Sequence, residues 1–113
     1  MSVLLDESLF GEAIRNASLG AWLSREASVL AVNRACAEMT GYTRTELISG
    51  LVGSLAADDA TRRQEEEVRA GRRVHGIAKL LRKDAHVIEV GYLVTSTRVA
   101  RDTLTLGLIW QTA

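Results

Sequence analysis

Proline is absent from this chain, so its turns must be made by glycine and by short polar residues rather than by ring geometry. A single cysteine, Cys36, excludes an intramolecular disulfide and any cluster that needs four thiolates from one chain. No excess of either charge is present: fourteen basic residues offset fourteen acidic ones. That balance removes the positive field that gathers nucleic acid without sequence preference, and direct DNA or RNA binding is not expected. No apolar run approaches the roughly 20 residues needed to span a bilayer, and no basic start followed by an apolar stretch suggests a signal peptide. The expectation is a soluble, cytoplasmic piece, and 113 residues are one domain with one core.

What is present is concentrated between Asn33 and Ile48. Asn33 follows the apolar run Val29 to Val32 and can cap a short helix, Arg34 to Thr40, whose apolar side is Ala35, Cys36 and Met39. Gly41 is placed to end that helix, because glycine takes a positive φ without steric penalty. Thr43 and Glu46 have the spacing of a capping box, in which a hydroxyl and a carboxylate three residues apart satisfy N–H groups at a second helix start. Leu47 and Ile48 would face inward from it. Cys36, among apolar neighbours, reads as an inert core thiol.

At Asn33, Ala35, Thr40, Gly41, Tyr42, Glu46, Leu47 and Ile48 the chain resembles the PAS family of small sensory domains. Leu81-Arg82-Lys83-Asp84, followed by Val87-Ile88-Glu89-Val90, is similar to the family's Arg-Lys-Asp-Gly hairpin and the strand after it. Leu106-Gly107-Leu108-Ile109 is similar to its last strand. The resemblance spans about Phe10 to Thr112. It implies an α+β fold, a PAS-like five-stranded antiparallel sheet with short helices on one face and an N-terminal helix on the outer face. The domain plan is residues 1–17 as that helix, a cap or dimerisation element, and residues 18–113 as the PAS core.

Read in order, Asp6 to Ala17 has Leu9, Phe10, Ala13 and Ile14 at helical spacing. Ala21 to Ser24 pairs with Val29 to Val32 as a hairpin across Arg25, Glu26, Ala27 and Ser28. The glycine-punctuated stretch Ser49 to Leu55 suggests a short helical turn between loops. Asp58 and Asp59 start a helix over Ala60 to Ala70, with Arg62/Glu66, Arg63/Glu67 and Glu65/Arg69 spaced for ion pairs on a solvated face. Gly71 stops it. Three strands follow, about Arg72 to Arg82, His86 to Thr97 and Thr103 to Gln111, with a tight turn at Lys83-Asp84-Ala85.

The resemblance places a small cavity between sheet and helices. Alternation along a strand puts Trp22 and Ser24 on one face, the cavity face by the family's pattern. Trp22, Ser24, Leu51, Leu55, Ile88, Val90, Tyr92 and Ile109 would line a pocket suited to a small apolar or aromatic ligand, or the same side chains would simply fill it. A light-oxygen-voltage flavin adduct needs a cysteine that Leu51 to Gly71 lacks. Haem needs an axial ligand, and the helix at 60–70 has no His, Cys, Met or Tyr. His75 and His86 fall near strand ends instead, where a partly exposed histidine is the base expectation. The cofactor therefore stays unknown: flavin or haem without motif support, non-covalent flavin included. No catalytic or metal-ligating set is expected.

If Ile109 faces inward, Leu104, Leu106, Leu108 and Trp110 make an apolar stripe on the outer face, to be covered by Leu9, Phe10 and Ile14 in the same chain or by a twin. The resemblance favours a homodimer. The resulting expectation is a non-catalytic cytoplasmic sensory module of a bacterial signalling protein, such as a two-component system or a transcription regulator, relaying a change to an attached output domain. The alternatives are a ligand-free homodimerisation module and, third, a small isomerase- or dehydratase-like enzyme, which would need a buried Asp or His on the cavity face.

Overall fold

The computed structural model describes residues 19–26 and 28–112. The expected N-terminal helix, with Leu9, Phe10 and Ile14, lies outside the described residues. Five strands form one antiparallel sheet: β1 (Gly20–Arg25), β2 (Ser28–Val32), β3 (His75–Leu81), β4 (Val87–Val99) and β5 (Asp102–Gln111). Their order across the sheet is β2-β1-β5-β4-β3, so the first and last strands are central neighbours. Three helices, α1 (Arg34–Thr40), α2 (Arg44–Ser49) and α3 (Asp59–Arg69), lie between β2 and β3 in the chain. This is the expected α+β architecture.

The local signals work as their chemistry dictates. The Asn33 side chain accepts from the Cys36 N–H at 3.0 Å and from the Ala21 N–H at 2.9 Å, so one amide caps α1 and ties it to β1. Gly41 takes φ +80° and closes α1, its N–H donating to the Ala37 carbonyl. Thr43 and Glu46 form both halves of the capping box of α2. Asp58 caps α3 through the Thr61 N–H at 2.8 Å, and Gly71 and Arg72 close it by donating to the Val68 and Glu67 carbonyls.

Five expectations need correction. Ile48 is 43% exposed rather than turned inward, although Leu47 beside it does pack against the core. The segment after α2 forms no helical turn: Gly50 and Gly53 both sit in the left-handed region, and the chain runs as loop to an isolated bridge, Ala56 to Leu80. Strand β3 begins at His75 rather than Arg72, because Arg72 is used to finish α3. Leu51 is 90% exposed and lines no part of the interior, since the left-handed Gly50 turns the chain outward before it. None of the three anticipated ion pairs on α3 closes among the described residues. Arg62 instead meets Asp59 one turn back at the helix start, and Glu67 meets Arg73 beyond the helix end.

The core lies on the helix side of the sheet. Cys36 and Met39 from α1 pack with Ala78, Val90, Tyr92, Val94 and Ile109, and Trp22, Val32, Leu47, Val68, Leu80 and Ile88 border them. The pairings Tyr92 with Ile109 and Trp22 with Gly107 put these side chains on one face. Gly107 is needed there for lack of a side chain: a Cβ would run into the Trp22 ring.

Candidate functional site

The inner face holds most of the residues anticipated for a pocket. Trp22, Ile88, Val90, Tyr92 and Ile109 are brought together in or against one cluster, with Val90 1% exposed. Ser24 is buried on the same strand face as Trp22. Leu55 is half-buried at the far edge, its carbonyl accepting from the Leu81 N–H at 2.8 Å. Leu51 does not join them. Trp22 fills the space over Gly107 and Tyr92 fills that over Gly76, where a Cβ would lie 2.7 Å from the Tyr92 hydroxyl.

One polar contact crosses this apolar floor. The Tyr92 hydroxyl donates to Gln64 Oε1 of α3 at 2.6 Å, and Gln64 Nε2 donates to the Ile77 carbonyl at 2.8 Å. Burial pushes the Tyr92 hydroxyl pKa up, with the Arg73 guanidinium pulling the other way, so at neutral pH the phenol remains a donor. Sequence reading placed Tyr92 as the one polar tip but missed Gln64, which looked like one more member of a solvated charged helix face.

The buried polar side chains among the described residues are Ser24, Thr40 and Thr61. All three carry hydroxyls, and none is a carboxylate or an imidazole. Burial also raises the Cys36 thiol to about 11, the mark of an inert thiol at neutral pH. Among the described residues no three His, Cys, Asp or Glu side chains gather as metal ligands.

Two surface concavities lie elsewhere. One, of about 530 Å³, runs along α3 and is lined by Arg63, Glu66, Glu67, Arg72 and Arg73 with Ala60 and Gln64. The other, of about 300 Å³, lies by His75, Ile77, Leu93 and Trp110. Trp110, 38% exposed, lies over Gly91. Leu104, Leu106 and Leu108 alternate with Gly107 and Ile109 along β5, so the anticipated stripe does lie opposite the core. Cross-strand pairing of Leu93 with Leu108 extends it sideways.

The remaining motif residues build a joint. Arg82 in the β3–β4 turn donates from Nη1 to the Glu38 and Met39 carbonyls at 2.9 and 2.7 Å, capping the C-terminal end of α1. The Lys83 N–H donates to the Thr40 carbonyl, and Lys83 Nζ meets Glu46 of α2 at 2.6 Å. Those contacts hold the Glu46 carboxyl below the usual carboxylate range, first through Lys83 and then through the Thr43 N–H. Ala85 occupies the corner with φ +74°, where the resembled hairpin has glycine.

Comparison with solved structures agrees with this architecture. The chain is similar to a PAS domain from a two-component sensor histidine kinase, with a TM-score of 0.76, 19% identity, and coverage of 98% of this chain and 100% of that one. It is similar to the PAS domain of a protein from Colwellia psychrerythraea, with a TM-score of 0.79 at 15% identity, covering 94% and 96% of the two chains. A LOV protein from Rhodobacter sphaeroides matches with a TM-score of 0.73 at 15% identity, over 100% of this chain and 69% of that one. No family model and no curated protein matches the sequence. The fold is that of the PAS domains, found in sensor kinases and light-oxygen-voltage proteins alike.

Proposed function

We propose that this chain is a non-catalytic sensory module of a cytoplasmic signalling protein, which relays a change in sheet packing to an attached output domain through contacts on the outer face of the sheet. A second copy of the module is the first partner. The observation that carries this reading is the apolar stripe Leu104, Leu106, Leu108 and Trp110, widened by Leu93, on the face opposite the core. Trp110 and Leu93 on it are exposed while Leu104, Leu106 and Leu108 are half-buried, so further cover would lower its cost in water. Among the described residues no helix is long and apolar enough to cross a membrane.

A second reading is that a small apolar or aromatic ligand sits against Trp22, Ile88, Val90, Tyr92 and Ile109. The clustering of these residues on one face favours it. Their own bulk occupies that space here, so a ligand would have to displace α3 or the Trp22 ring. Native mass spectrometry of the domain tests both readings in one sample. Leu108→Asp is expected to convert a dimer to monomer, and a dimer that survives this change refutes the outer-face reading. Material bound to the wild type and lost in Ile88→Trp supports the ligand reading.

A further inference from the structure

Strand β3 is at the edge of the sheet, and its outward backbone groups need partners. The loop before α3 and α3 itself supply them. The Ala57 N–H donates to the Lys79 carbonyl and the Leu81 N–H to the Leu55 carbonyl, each at 2.8 Å. From the helix, Thr61 Oγ1 accepts from the Lys79 N–H at 3.0 Å, and Gln64 Nε2 donates to the Ile77 carbonyl at 2.8 Å. Helix α3 is thus laid along the edge by hydrogen bonds. Its residues, Asp-Ala-Thr-Arg-Arg-Gln-Glu-Glu-Glu-Val-Arg, include only Ala60 and Val68 as apolar side chains, and Thr61 is its one buried residue.

A helix attached in this way has little dewetted apolar area to lose on detaching. Each neutral hydrogen bond to the edge is replaced by one to water at a small net cost. Beyond the helix end, Gly71 has φ +75° and a Cβ there would meet nothing, whereas on the other side Leu55 to Ala57 stay bonded to β3 and the helix departs after them. Besides Val68, which packs half-buried against the core cluster, α3 reaches past the edge strand through the Tyr92 hydroxyl to Gln64 Oε1, a contact that exists because Gly76 leaves room. A Cβ on Gly76 would lie 2.6 Å from Gln64 Oε1.

We propose that α3 is a lid that opens on the sheet while α1, α2 and the five strands stay folded, and that the Tyr92–Gln64 hydrogen bond across Gly76 is its latch. With α3 displaced, Tyr92 loses Gln64, the inner face around Tyr92 and Ala78 becomes accessible, and the Ile77 carbonyl and Lys79 N–H of the edge are exposed. The ligand reading would use this opening as its route inward, but the lid does not depend on that reading.

Amide hydrogen exchange on the whole chain, resolved by NMR, tests it without any ligand. In the wild type, the amides of 63–69 are expected to exchange at least tenfold faster than those of Met39, Thr40 and the β4–β5 ladder. Tyr92→Phe keeps the ring and removes the latch, and it is expected to speed α3 by about a further tenfold while leaving α1 unchanged. Gln64→Ala, made from the helix side, should reproduce that selective effect. Exchange of α3 at the same rate as the central strands overturns the lid. Acceleration of α1, α3 and the sheet by one common factor in Tyr92→Phe, or selective opening in Gln64→Ala alone, overturns the latch. None of these outcomes bears on whether bound mass is found, so the lid and the ligand reading fail separately.

Discussion

Helix α1 has seven residues and places Cys36, Met39 and Thr40 in the interior, whereas α3 has eleven and places only Thr61 there. The shorter helix is held by apolar packing, backed by Asn33 at one end and Arg82 at the other. The longer one is held chiefly by side-chain hydrogen bonds to an edge strand, with Val68 as its half-buried contact with the core. Length therefore says little about how firmly a helix is docked; the width of its apolar stripe says more. The pairing also separates two jobs on one sheet face, with a fixed half over β1 and a half over β3 built to let go.

The largest test of that contrast is Met39→Ala. Truncating a buried methionine is expected to cost about 3 kcal/mol, and chemical denaturation should show the whole domain losing stability in one transition, because α1 belongs to the core. Thr61→Ala in α3 removes the neutral hydrogen bond to the Lys79 N–H, worth about 1 kcal/mol, together with the hydroxyl's bond to Asp58. Exchange in α3 should rise while the denaturation midpoint moves little. A Thr61→Ala loss as large as that of Met39→Ala would remove the distinction between the two helices.

Acid supplies the smallest and most selective test. The cap of α1 is Asn33, which does not titrate, and the cap of α3 is Asp58, whose carboxyl is held below its ordinary value by the Thr61 hydroxyl and then the Thr61 N–H. A carboxyl whose folded pKa is lowered contributes its full stabilisation above the ordinary aspartate value near 4 and loses it as pH falls through the folded pKa. Exchange corrected for intrinsic rates should therefore show α3 loosening below about pH 4 while the start of α1 holds. Glu46 and Asp84 have lowered values too, but they act at the β3–β4 turn. Asp58→Asn should make the acid response of α3 vanish and leave theirs.

The elements most legible in the sequence were those fixed by chain-local chemistry. Asn33, Gly41, the Thr43–Glu46 box and Asp58 each act within a few residues, so spacing alone announced them. Strand alternation likewise put Trp22 and Ser24 on one face, while Val90, Tyr92 and Ile109 were supplied by the resemblance. What escaped depended on distant partners. Leu51 looked like a lining residue by hydropathy, yet the left-handed Gly50 before it sends it to solvent. Gln64 looked like surface because its partners, Ile77 and Tyr92, lie 13 and 28 residues further on. Arg82 and Lys83 carried the resemblance as a motif, but their work at the ends of α1 and α2 becomes visible only when the hairpin is folded over them.

The sheet order has a mechanical consequence. Gly20 opens β1 and faces Ile109 near the end of β5, so chain leading into the first strand and chain leaving the last depart side by side from the middle of the sheet. Antiparallel hydrogen bonds run across the strands, and tension drawing those two points apart would load the bonds of this seam one after another, starting at Gly20 and Ile109. The domain would yield like a zipper rather than resist like a lap joint, dividing β2 and β1 from β5, β4 and β3 at modest force.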